Sequence, residues 1–262
     1  MKTLLSTLVL TVVLSIPAQA HEFWIEPEPG IVANGDEIVA ALRVGQELSG
    51  ASQSYLPRQF KRFEVFDDLG MRPVEGRLGD RPAMTISART GLTTAILESS
   101  TRTITWRKSE DFLAFLEYDG LQWVEAAHEA RGLPADGFKE HFRRHAKALI
   151  ETDVPAGADA ARGLPLEIVT ATNPFTDDGP LSLQALWQGA PIADLQLAHF
   201  HRDANDAVTR TLYRFDAAGQ LIMPRPAPGF SLLSVVHMEP IEAGEAVWLS
   251  HWASLTFHVG SP

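Results

Sequence analysis

The sequence predicts a mainly β protein: two Ig-like or β-sandwich domains with a helical insert at about 108–151. Three observations carry this. Short alternating apolar runs recur on both sides of the insert, punctuated by Gly, Pro, Asn and Asp. Within the insert the apolar spacing lengthens to that of a helix. Between the halves, Asp153 to Gly163 is rich in Ala, Gly, Pro and Asp and reads as a boundary. The expected division is a leader over 1–20, a β domain with its insert over 21–152, and an Ig-like sandwich over 164–262.

The leader comes first. Lys2 is followed by an uncharged apolar run from Leu4 to Ile16, and Pro17-Ala18-Gln19-Ala20 ends in an A-x-A cleavage pattern. The run is shorter than the roughly 20 residues of a membrane span, so it reads as a secretory signal peptide. No later segment is apolar enough to span, so no integral membrane protein is expected.

In the first β region, Asn34-Gly35-Asp36 is a turn before the apolar run Glu37 to Val44. Phe60 to Phe66 alternates and ends in the turn Asp67-Asp68-Leu69-Gly70. Met84 to Ala88, Thr93 to Leu97 and Thr101 to Trp106 are further strand candidates. In the insert, Phe112, Phe115 and Leu116 follow Ser109 at helical spacing. Leu121 to Ala130 reads as a second helix, stopped by Gly132 and Pro134. Phe138, Phe142, Ala146 and Leu149, following Asp136, predict a third and longest helix. After the boundary, seven strands are expected: 166–171, 181–187, 195–201, 209–215, 220–223, 231–238 and 247–258. That density of short strands is typical of a sandwich.

Composition narrows the chemistry. The 262 residues are 45% hydrophobic and 21% charged, which is globular, and the net charge of −11 disfavours nucleic acid. Cysteine is absent, so disulfides, thiolate metal sites and Cys nucleophiles are excluded. A cysteine-free exported chain suggests the bacterial periplasm. There is no G-x-S-x-G elbow, P-loop or G-x-G-x-x-G fingerprint.

The histidines carry the functional signal. Cleavage after Ala20 would make His21 the first residue, with its α-amine and Nδ1 able to chelate one ion. One further imidazole would complete a histidine brace, a donor set suited to Cu²⁺ or Ni²⁺. His199 and His201 share one face of a predicted strand. His237 closes the row Leu233, Val235, and His251 alternates with Val247, Leu249, Ala253 and Leu255, so both are expected to face inward. His21, His199, His201, His237 and His251 are therefore the candidate metal ligands. The ordinary alternative for each strand histidine is a hydrogen-bonded core residue. His141 and His145 stand at i, i+4, but Arg143 and Arg144 lie between them and would repel a cation.

The run His21-Glu22-Phe23-Trp24-Ile25-Glu26-Pro27 after a signal peptide resembles the mature start of a bacterial periplasmic family. That family is catalogued as a domain of unknown function and often labelled the periplasmic component of cobalt/nickel uptake. Val44-Gly45-Gln46, Thr103 to Arg107, Phe142 to Leu149, Pro165 to Val169 and Trp252 to Phe257 continue the resemblance over nearly all of the mature chain. Pro180 to His237 also resembles the transthyretin-like or carboxypeptidase-regulatory sandwich, with Gly189 to Ile192 and Asp216 to Leu221 at its hairpins. The histidines of this acidic, cysteine-free exported chain are expected to make it a non-enzymatic binder of Ni²⁺, Co²⁺ or Cu²⁺ that assists uptake or homeostasis. The cobalt/nickel label of the resembling family implies a membrane metal-uptake transporter as partner. Two other readings are an Ig-like envelope interaction module without metal and a histidine-brace copper oxidase.

Overall fold

The computed structural model describes residues 22–29, 31–154 and 156–260. The leader and His21 lie outside the described residues. The chain is mainly β, with several sheets packed as a sandwich-like fold.

A four-stranded sheet contains β1 (Glu22–Pro27), β2 (Glu37–Gln46), β3 (Ser49–Gln53) and β6 (Met84–Ser87). A nine-stranded sheet runs β14-β13-β16-β17-β9-β7-β4-β5, with β8 paired to β9. Its strands are β4 (Phe60–Asp67), β5 (Gly70–Pro73), β7 (Thr93–Ser99), β8 (Arg102–Trp106), β9 (Phe138–Ile150), β13 (Gln196–Asp203), β14 (Val208–Arg214), β16 (Gly229–Pro240) and β17 (Ala246–Val259). A third sheet holds β10 (Leu166–Thr170), β11 (Leu181–Trp187), β12 (Ala190–Pro191) and β15 (Gln220–Met223). Two helices, α1 (Ser109–Tyr118) and α2 (Trp123–Ala130), lie between β8 and β9.

The expected strands recur within one to three residues at most ends, and the first two helices form where the apolar spacing put them. The third helix does not: Phe138–Ile150 is the 13-residue strand β9. Positions 138, 142 and 146 are four apart, a step that satisfies a helical turn and is also two strand repeats. Central burial decides between the two. From His145 to Ile150 every residue of β9 is buried, so both faces must be packed, which a strand between two layers achieves. Asp136, just before that stretch, accepts the Ser109 N–H at 2.6 Å and so serves the start of α1.

The two halves are also joined more closely than two sandwiches would be. β17 pairs in parallel with β9 from Ala246/Lys139 to Thr256/Ala148, so one sheet draws strands from both sides of the 153–163 segment. Even-numbered residues of β9 face the first sheet and helices: Ala146, Ala148 and Ile150 pack with Ile25, Ile38 and Leu42. Odd-numbered residues of β13, β16 and β17 face the third sheet, with Leu197, Val235, Ala253 and Leu255 against Ile168 and Leu183. No helix among the described residues is long and apolar enough to cross a membrane.

Candidate metal centre

His199, His201, His237 and His251 all project from the odd-numbered face of the large sheet, as strand alternation requires. Register then sorts them into two pairs. His201 lies directly opposite Ser231, while His237 lies opposite His251. Six residues of β16 separate Ser231 from His237, about 20 Å at a strand's rise. The Leu233 and Val235 core fills the gap.

In the first pair, the Ser231 hydroxyl lies 3.1 Å from His199 Nε2 and 3.2 Å from His201 Nδ1. A hydroxyl can donate to one nitrogen and accept from the other, so this contact serves His199 Nε2 and His201 Nδ1, while His201 Nε2 is buried without a hydrogen-bond partner. Burial, then His201, lowers the His199 pKa to about 4. His201 is lowered by burial against the opposing pull of Asp203.

The second pair has a third member. His145 Nε2 lies 3.0 Å from His251 Nδ1, with both rings almost wholly buried. The planes differ by only 11° and the centroids stand 5.3 Å apart, so the nitrogens meet edge to edge rather than face to face. Lone pairs that converge on a shared ion would leave this line, so the contact is a hydrogen bond. His251 Nε2 is buried without a hydrogen-bond partner, and Glu239 Oε1 lies 3.4 Å from it. Trp187, at the end of β11, stands 4.6 Å by centroid from His237 and 4.6 Å from His251. Burial, then Arg143, His237 and Lys61, lowers His251 to about 3, and burial lowers His237. Both imidazoles are neutral at pH 7, the form that offers a lone pair to a metal.

Among the described residues no group of three or more His, Asp or Glu side chains is gathered to hold a metal ion. His237 and His251 are cross-strand neighbours by register, with the Trp187 ring against both. The Glu239 carboxylate, its side chain 38% exposed, is the acidic group beside His251 Nε2.

A second polar cluster escaped the sequence reading. Glu22, the residue after His21, is buried and sits on the opposite side of the large sheet from the four strand histidines. Its carboxylate accepts the Glu47 N–H at 3.0 Å and lies 3.4 Å from the Tyr118 hydroxyl. Burial pushes Glu22 up to about 7. Asp119, at the C-terminal end of α1, is pushed well up by burial, then by Glu22. Glu140 is pushed to about 7 by burial, although Ser250 donates to it and Trp106 Nε1 donates at 2.7 Å. No motif links positions 22, 119 and 140; only the packing of β1, α1 and β9 gathers them.

These two sets give stability opposite pH dependences. Glu22 and Glu140 have raised folded pKa values, so their contribution is complete below about 4.5 and is lost as pH rises through 7. His199 and His251 have depressed values, so theirs is complete above about 6.5 and is lost as pH falls through 4 and 3. Glu140→Gln removes one member of the first set. Urea unfolding should then show the variant's stability relative to wild type improving by about 3 kcal/mol between pH 5 and pH 8. An unchanged difference across that range would mean Glu140 ionises in the folded chain as freely as in water.

The fold and site together define a mainly β, sandwich-like protein whose sheet face carries paired neutral imidazoles. Residues 18–239 match the model of the family described as Domain of unknown function (DUF4198), and the chain belongs to that family. No curated protein matches it.

Proposed function

We propose that the protein is an exported, periplasmic transition-metal binder, taking Ni²⁺, Co²⁺ or Cu²⁺ in the service of metal uptake or homeostasis. One observation carries this reading: His237 and His251 face each other across neighbouring strands, with His251 Nε2 buried and unbonded. A buried polar atom without a partner calls for an explanation, and a bound cation supplies one. His145 fits a supporting role, because its Nε2 can accept the Nδ1 proton of His251 and leave the Nε2 lone pair outward. The metal would supply charge for Glu239 to meet, and the chain's net charge of −11 favours a cation. The cobalt/nickel label of the resembling family points the same way. Titration calorimetry with Cu²⁺ and Ni²⁺ tests the reading. Absence of binding tighter than about 1 mM, about −4 kcal/mol, would sink it.

A second donor set rests on Glu22, which directly follows His21 in the chain and which packing brings near Asp119 and Glu140. Cleavage after Ala20 would create an α-amine one residue before Glu22, whose repulsion with Asp119 a cation would relieve. Protein starting at His21 should then bind Cu²⁺ at least tenfold more tightly than protein carrying an extra Met ahead of it. The added residue turns the amine into an amide, which has no lone pair to give. Equal affinities would remove the amine from the site and leave the strand imidazoles.

A further inference from the structure

A cavity of about 260 Å³ opens between β1–β3 and the β4, β7 and β9 part of the large sheet. Phe23, Phe60 and Leu97 supply much of its apolar wall, and Arg58, Arg102 and Arg144 also line it. No Asp or Glu does. That is unusual in this neighbourhood, where Arg43, Arg62 and Arg72 each hold a carboxylate at 3.1, 2.7 and 2.7 Å. Arg58 and Arg102 form no salt bridge among the described residues. Arg144 lies over the Phe142 ring at 5.1 Å and over Phe23 at 5.7 Å, which fixes the guanidinium against the apolar wall. Burial, then the nearby Arg102, lowers its pKa to about 10, and Glu22 opposes this. Guanidinium groups stay charged at neutral pH, so bringing them together around a partly desolvated cavity costs energy that an anion would offset.

We propose that this cavity binds a small organic carboxylate with an apolar or aromatic body. The guanidinium forks match a carboxylate's two oxygens. The aromatic and aliphatic wall accounts for the rest of the ligand, because an inorganic anion would leave that wall wet. The volume lies at the small end of ligand pockets, which suits one ring on a short chain. The site is on the opposite side of the large sheet from His237 and His251, so it stands whether or not those residues bind metal.

Phenylpropionate is a direct probe, with phenylpropanamide as its uncharged isostere and inorganic phosphate as a bare anion. Titration of the full chain should give saturable one-to-one binding of the carboxylate. The amide and phosphate should each bind at least tenfold more weakly. Arg102→Ala and Arg58→Ala, both at exposed positions where folding is not at risk, should each weaken phenylpropionate about tenfold. His237→Ala should leave it unchanged. No saturable binding, equal binding of the amide, or full affinity in both arginine variants would overturn the proposal. Phosphate binding as tightly as phenylpropionate would overturn it too, by showing a plain anion site.

Discussion

Lys147→Met is expected to lower the unfolding free energy by about 3–5 kcal/mol at pH 7, the range for removing one partner of a buried ion pair. The Lys147 side chain is 1% exposed. Its ammonium lies 2.7 Å from Glu167 Oε1 and 3.2 Å from Asp159 Oδ1, and donates to the Ala160 carbonyl at 3.3 Å. It thus ties β9 to the start of β10 and to the connecting segment between them. Methionine keeps most of the volume, so the loss reports charge rather than a cavity. Two carboxylates would remain buried with backbone donors but no cation. Asp159 is raised by burial even now, with Lys147 opposing, and would rise further. A raised folded pKa means stability that is lost as pH increases, so the deficit should shrink as pH falls toward 4. Urea unfolding at pH 7 and pH 4.5 checks both statements. Adding Asp159→Asn and Glu167→Gln should restore much of the loss. A deficit under about 1 kcal/mol at pH 7 would show the triad to be as weak as a surface pair.

This triad also explains why one stretch of sequence misleads. Asp153 to Gly163 has the composition of a linker, yet Asp159 is buried and accepts the Thr170 N–H at 3.0 Å. Composition reports flexibility of the free chain; it does not report a lysine 12 residues earlier that holds the segment down. The same limit applies to β9. Its apolar residues at four-residue steps fit either period, and pairing with β17, over one hundred residues away, and with β7 and β8 makes it a strand. By contrast, β11 (Leu181–Trp187) falls where its alternation and the Gly179-Pro180 and Gly189-Ala190 turns put it. Local period and turn chemistry are written in adjacent residues, whereas strand order is not.

The site divides along the same line. Alternation alone put His199, His201, His237 and His251 on one sheet face. Which of them meet depends on two separate registers, β13 on β16, which sets His201 against Ser231, and β16 on β17, which sets His237 against His251. His145 could not be foreseen as a partner of His251, because the sequence read it as helical. His251 Nε2 and His201 Nε2 are both buried without a hydrogen bond, but His251 also has His145 behind it and the Glu239 carboxylate at 3.4 Å, while His199 and His201 share one hydroxyl, so the two pairs are not equivalent candidates.

That inequality yields the second prediction. His237→Ala is expected to weaken Cu²⁺ binding by tenfold or more, and His237→Ala with His251→Ala by about a hundredfold or more, roughly 3 kcal/mol. His237 is half-exposed, so its removal tests donation with little effect on the core. His251 is 1% exposed and supports His145, so the double variant needs a thermal melt beside each titration. His199→Ala should leave the affinity unchanged, because its Nε2 is committed to Ser231. Glu239→Gln should weaken binding less than His237→Ala, since the carboxylate is partly solvated. If His237→Ala and the double variant both keep wild-type affinity while an added N-terminal Met abolishes it, the imidazole pair is a neutral core contact. The binding site then belongs with the carboxylates beside Glu22. If instead only the histidine variants lose affinity, the open His251 nitrogen is the one that meets the metal, and its hydrogen bond from behind by His145 becomes the means of holding it in place.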